Sequence, residues 1–139
     1  MDNLVVDALK WVALLLLSAV IDVPFFRVGS RLLGLRRYSF GATYLLALIV
    51  SGGVFIADLI VSPQLAAFPA SVRMVASLML SLVVSGWLIG YFMTTAERMS
   101  IGFAKGMQLA LLVNLLFALA AMLLVAILAR VLGSLDIPF

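Results

Sequence analysis

Residues 107–129 read MQLALLVNLLFALAAMLLVAILA, an unbroken run without a charged side chain. A transmembrane helix needs about 20 consecutive, mostly apolar residues, so this run is long enough to cross a bilayer on its own. Three further apolar stretches precede it, and 66% of the 139 residues are hydrophobic. The sequence therefore predicts an integral membrane protein with almost nothing outside the bilayer.

Short polar breaks divide the chain into four predicted spans. Backbone polar groups in lipid must be satisfied within their own segment, and strand-type alternation is absent, so each span is predicted to be helical. The predicted spans are residues 4–26, 40–61, 71–94 and 101–132. Together they use nearly all of residues 1–139, which predicts a single all-α transmembrane domain. We expect a compact four-helix bundle, which could consist of two tandem helical hairpins.

The span boundaries follow from proline, serine and charge. Ser62 and Pro63 are predicted to stop the second span, and an uncharged turn over residues 62–70 follows. Pro69, with Ser71 as N-cap, is predicted to open the third span. Asp2 and Asp7 precede the first basic residue, which argues against a cleaved signal peptide and for a retained N-terminus.

Composition excludes several functions. The chain has no His and no Cys, which excludes haem ligation through those side chains, thiolate zinc sites, iron–sulfur clusters and His-based catalysis. We find no catalytic, cofactor or metal motif and predict a protein that is not an enzyme. An enzyme would have to act on a lipid phosphate through Asp22, Glu97 and arginines alone.

The basic residues predict the orientation. Most of them lie in the connection between the first two spans and in the connection between the last two. The positive-inside rule places these two connections in the cytoplasm and both termini outside. Compactness and this bias favour a bacterial-type inner membrane. The basic residues on the predicted cytoplasmic side are Arg27, Arg31, Arg36, Arg37, Arg98 and Lys105; those toward the other side are Lys10, Arg73 and Arg130.

Four arginines are interleaved with apolar residues in the segment 25–38, which is predicted to lie along the cytoplasmic surface. Arg27, Arg31, Arg36 and Arg37 are candidates for binding anionic lipid headgroups, since arginine binds phosphate bidentately. The simpler interpretation is that they determine topology alone. Nucleic acid is not an expected partner.

Small and polar residues predict the packing faces of three spans. They could form a polar seam that conducts a solute or ion, but we favour ordinary helix contact. In the third span the predicted packing residues are Ser77, Ser81, Ser85, Gly86 and Gly90. The facing residues are Ala47, Ser51, Gly52, Gly53 and Asp58 in the second span, and Ala110, Asn114, Ala118 and Ala121 in the fourth.

An ionisable residue within a span is a functional candidate whose partner must be named. Asp58 and Arg73 flank a short turn, so we predict an ion pair between them, with a ligand or transport function as the alternative. Asn114 is predicted to join two helices by a hydrogen bond, or else to contact a ligand.

The position of Asp22 depends on the register of the first span. If the span covers residues 4–23, Asp22 lies at the cytoplasmic edge and could meet Arg98 or Lys105, which is the placement we favour. If Trp11 marks the outer interface, Asp22 falls near the bilayer midplane, two residues before Pro24.

Two functions remain. The sequence favours a non-catalytic subunit, scaffold or assembly partner in a membrane complex. The alternative is a small homo-oligomeric transporter or channel that uses intramembrane Asp, Asn and Ser groups. Because four helices are expected to leave little interior, a conduction path would need self-association.

Overall fold

Four helices make up this computed structural model, which describes residues 2–95 and 99–134, with side chains for 5–95 and 99–131. Each helix is long and apolar enough to span a membrane. No strand occurs within the described ranges, so the predicted all-α transmembrane class is confirmed. The helices are α1 (Asp2–Leu32), α2 (Phe40–Leu65), α3 (Ala70–Phe92) and α4 (Gly102–Ser134).

The helices follow one another around a ring. Each packs on the helix before it and the helix after it, α4 returns to α1, and the diagonal pairs do not touch within the described residues. Two connections, residues 33–39 and 93–101, lie at one end, which we call the loop end. The other end holds the connection 66–69, the start of α1 and the end of α4, and we call it the terminal end.

The buried core lies in the half of the bundle nearest the loop end. Toward the terminal end the side chains of α1 over residues 5–14 and of α4 over 117–131 are all exposed. The helices are therefore packed more tightly at the loop end than at the terminal end. The buried apolar residues are Ala19, Val23, Phe26, Leu46, Ala47, Val50, Ile89, Met93, Ile101, Leu109, Ala110 and Val113.

Proline ends neither of the first two helices, so the predicted stop of the second span at Ser62 and Pro63 is wrong. α1 continues through Pro24 to Leu32, and α2 continues past Ser62 and Pro63 to Leu65. Proline removes a single hydrogen-bond donor from a helix, and in lipid no alternative partner exists for the rest of the segment, so the helix persists. Half of the arginine segment predicted to lie along the surface is therefore helical.

The connection between α2 and α3 is shorter than predicted. It covers only residues 66–69, and Pro69 takes the N-cap position without a side-chain hydrogen bond. The predicted N-cap at Ser71 is wrong, since Ser71 lies inside the first turn of α3. This tight connection holds α2 and α3 together as a hairpin.

Glycine ends α1 and reverses the chain. Gly34 has φ of 65°, in the left-handed region that glycine adopts without steric cost. The Leu35 N–H donates to the Ser30 carbonyl at 2.8 Å, and the Gly34 N–H donates to the Arg31 carbonyl at 3.1 Å. This pair of bonds is a Schellman motif, and it directs the following arginines back toward the last turns of α1.

Glycines also bring α3 and α4 into backbone contact near the loop end. A Cβ added to Gly90 would lie 2.7 Å from the Gly102 carbonyl oxygen, and one added to Gly106 would clash with the backbones of Gly86 and Gly90. Two small-xxx-small pairs, Gly86 with Gly90 and Gly102 with Gly106, thus face each other. Only glycine permits so close an approach.

Candidate functional site

A cavity of about 640 Å³ lies between the four helices. It extends from the core toward the terminal end, where Trp11, Asp58 and Ser77 line it. Among the described residues of α4, none beyond Asn114 lines the cavity, which is open. The expectation that four helices leave little interior is therefore wrong.

The cavity gathers nearly all the polar residues singled out in the spans. Its walls are otherwise apolar, and no Lys or Arg among the described side chains lines it. Asp22 and Asp58 are its two ionisable groups. The polar lining consists of Ser18, Asp22, Ser51, Asp58, Ser77, Ser81, Ser85 and Asn114.

Asp22 lies deep in this cavity. It is half-buried, and its carboxylate accepts a hydrogen bond from the Ser51 hydroxyl at 3.4 Å. Ser51 is the twelfth residue of α2, about 17 Å along a helix of roughly 39 Å. Asp22 therefore lies level with the middle of a membrane-spanning helix.

The sequence interpretation that we favour places Asp22 beside Arg98 or Lys105, whereas in the structure its hydrogen-bond partner is Ser51. Asp22 has no ion pair with Lys105 among the described residues, and Arg98 lies outside them. Trp11, about three turns earlier on α1, stacks obliquely on Phe55 with ring centroids 5.6 Å apart. The difference arises because α1 ends six residues later than the predicted span, at Leu32 instead of residue 26, so Asp22 lies farther from the end of the helix.

Asp58 lies nearer the open end of the cavity. Its carboxylate accepts a hydrogen bond from the Ser77 hydroxyl at 3.1 Å, and the described residues contain no ion pair between Asp58 and Arg73. The predicted ion pair is therefore wrong. Arg73 is exposed in the first turn of α3, where a long side chain extends out of the apolar region, and Ser77, one turn deeper, faces Asp58 instead.

The serines of α3 form one wall of the cavity. Ser77, Ser81 and Ser85 recur every four residues, so they share one face, and all three line it. The Asn114 amide donates to the Ala110 carbonyl at 2.8 Å, which leaves its own carbonyl oxygen available to the cavity. The predicted α4 face does not continue further, because Ala118 and Ala121 are exposed.

The remaining α2 packing residues divide between two environments. Ala47 is buried in the core. A Cβ on Gly53 would lie against the Leu88 side chain, whereas Gly52 has nothing within 4 Å of that position. Gly53 therefore belongs to the contact between α2 and α3, and Gly52 does not.

The four candidate arginines do not act as one group. Arg27, Arg31 and Arg37 line a pocket of about 50 Å³ at the loop end, and Arg36 is exposed outside that lining. Glu97, the other acidic candidate, lies outside the described residues. Residues 2–95 and 99–134 contain no group of three acidic side chains that could hold a metal ion.

Tyr38 closes the loop end, a function that the sequence did not predict. Its hydroxyl accepts a hydrogen bond from the Thr94 N–H at 2.6 Å and lies 3.0 Å from the Thr94 hydroxyl. It also donates to the Thr94 carbonyl at 3.1 Å. These bonds join the two connections at the loop end. Nothing in the spacing of Tyr38 and Thr94, 56 residues apart, indicates the contact.

Replacing Tyr38 by phenylalanine should lower the free energy of unfolding by about 2 kcal/mol, because the half-buried Thr94 N–H loses its acceptor. Unfolding in mixed detergent micelles measures this change. Tyr44→Phe is the matched control, since the Tyr44 hydroxyl makes one exposed hydrogen bond of 3.5 Å to the Leu16 carbonyl. Equal losses in the two variants would contradict a closure at Tyr38.

The fold and the cavity define a four-helix integral membrane protein with an open cavity lined by carboxyl, hydroxyl and amide groups. Beyond that class, no protein-family model, no curated protein and no solved structure matches the chain. The functional argument therefore depends on the geometry of the site itself.

Proposed function

We propose that the chain binds a small cation in the cavity and carries it across the membrane. The observation that carries the proposal is that Asp22 and Asp58 line the cavity, and that within residues 5–95 and 99–131 no cationic side chain lines it with them. A carboxylate within a membrane span is costly, and such groups normally pair or mark an ion pathway. A bound cation supplies the missing charge.

The rest of the lining suits the same ligand. Serine hydroxyls and the Asn114 carbonyl present oxygen atoms, which together with carboxylates are the ligands of hard cations. The volume of about 640 Å³ falls within the range of about 300 to 1,000 Å³ of small-molecule sites. It accommodates a partly hydrated metal ion or a small organic ammonium ion.

The positive-inside rule gives the proposed direction of access. With the arginine-bearing loop end in the cytoplasm of a bacterial-type inner membrane, both termini lie outside and the cavity opens outward. The glycine contact between α3 and α4 and the Tyr38 hydrogen bonds close the cytoplasmic end. Transport requires that end to open in a second conformation.

A second candidate function is that of a subunit or scaffold for another membrane protein. It is favoured by the unpacked half of α4, where every side chain over residues 117–131 is exposed. A helix of a partner, or of a second copy, could pack there and close the gap beside α1. Native mass spectrometry of the purified protein distinguishes the two, since a stoichiometric partner supports the subunit function.

A flux assay tests the transport proposal. The purified chain is reconstituted into liposomes, and uptake of Na⁺, K⁺, protons and methylammonium is compared with uptake by protein-free liposomes. We expect at least one cation to enter at least about tenfold faster, while chloride and glucose do not. Cation uptake equal to that of empty liposomes throughout the panel would overturn the proposal.

A further inference from the structure

We infer that the loop end binds a phosphate group in the pocket of about 50 Å³ that three arginines line. This site is separate from the cation cavity and does not depend on the function proposed for it. Its lining consists of Arg27, Ser30, Arg31, Arg37, Tyr38 and Thr43.

The backbone brings these arginines together from two segments. Arg27 and Arg31 are four residues apart in α1, so they project from one helix face. The chain reversal at Gly34 then returns Arg37 to the same side, where all three line one pocket. Arg36, the immediate neighbour of Arg37, is left outside it.

Within the described part of the chain, no carboxylate lines this pocket. Among residues 2–95 and 99–134, no arginine forms an ion pair. Three exposed arginine side chains line this pocket, and like charges that share a site repel each other, so a bound anion is favoured there. α2 begins at Phe40, and Thr43 of its first turn lines the pocket, so the positive end of the helix dipole adds to the attraction.

The hydroxyl groups of the pocket contribute polar walls. The Ser30 hydroxyl donates to the Arg27 carbonyl at 3.1 Å, and the Thr43 hydroxyl donates to the Ser39 carbonyl at 2.9 Å. Their hydrogens are thus used by the backbone, and the donors left for an anion are the guanidinium groups. Their planar arrangement of N–H groups matches the oxygens of phosphate.

The phosphate can come from two sources. The pocket lies at the end of a membrane-spanning helix, the level at which phospholipid headgroups lie, so a lipid phosphodiester reaches it from the bilayer. Inorganic phosphate reaches the same groups from water. Both present the same oxygens to the arginines, and the experiment separates them.

Lipid titration by native mass spectrometry tests the site on the full chain in detergent. One arm adds phosphatidylglycerol, a second adds a glucosyl diacylglycerol that has no phosphate, and a third adds inorganic phosphate as competitor. The test variant is Arg37→Gln. Arg36→Gln is the matched control, because it removes the same charge from the adjacent residue outside the pocket.

We expect Arg37→Gln to weaken phosphatidylglycerol binding by about tenfold or more, and Arg36→Gln by about twofold. If millimolar inorganic phosphate does not displace phosphatidylglycerol, the result supports the lipid as the source of the phosphate. If it does displace the lipid, the result supports free phosphate. Both results support the site. Equal weakening by the two variants would mean that diffuse surface charge, and not a defined site, attracts the lipid. That result would overturn the inference. Equally tight binding of the phosphate-free lipid would do the same.

Discussion

Gly106→Ala is expected to destabilise the bundle by about 3 kcal/mol, at the upper end of the cost of overpacking. The added Cβ would meet the carbonyl oxygen of Gly86 and the backbone of Gly90. Backbone atoms cannot rotate away as the end of a flexible side chain can, so α3 and α4 must separate. Their separation also removes the packing of the core residues on both helices.

The measurement is unfolding of the purified protein in mixed micelles of increasing denaturing detergent, followed by circular dichroism. Gly52→Ala is the matched control, since it makes the same substitution inside a helix where nothing lies within 4 Å of the new Cβ. We expect its stability to be unchanged or slightly higher. If the two variants unfold together, close backbone contact does not hold α3 and α4.

The glycine contact and the cavity are two consequences of one packing arrangement. Gly86 and Gly90 allow α3 and α4 to touch near the loop end, and helices that cross closely at one end diverge toward the other. The divergence leaves the space that Asp22, Asp58 and the serines line. Weakening the contact should therefore alter the cavity as well as the stability.

The sequence was sufficient to predict the four spans because lipid imposes length, apolarity and helical backbone on each. It was also sufficient to predict that Gly86 and Gly90 form a packing face. Gly102 and Gly106 repeat the same spacing, so the sequence also holds a signal for the partner of that face, although the predicted packing residues do not include them. The two pairs lie within 21 residues of each other, on consecutive spans.

The contacts of the polar residues could not be predicted because they depend on the register of each helix against its neighbour. The first span is predicted to end at residue 26, yet α1 continues to Leu32. Asp22 therefore lies farther from the end of its helix than predicted, and it meets Ser51. Likewise Asp58 was paired with Arg73 by charge, whereas a difference of one helical turn gives it Ser77 instead.

Asp22→Asn is expected to reduce cation flux by at least about 100-fold while leaving the bundle folded. Asparagine has nearly the same shape, and its amide can keep the hydrogen bond with Ser51, so the substitution removes mainly the charge. Loss of about 3 kcal/mol of charge-assisted binding corresponds to about 100-fold in rate. Flux into liposomes measures the change, with the cation that the wild-type chain transports.

Asp7→Asn is the matched control, because Asp7 lies on the same helix but outside the cavity, in an exposed pair with Lys10 at 3.3 Å. Its flux should equal that of the wild type. The stability of the Asp22→Asn variant separates a transport function of Asp22 from a structural one. If the carboxylate only supports packing, the variant should lose both cation flux and stability. If the carboxylate binds the cation, the variant should lose flux and gain stability, since it no longer holds an uncompensated charge in the membrane interior, which is energetically unfavourable.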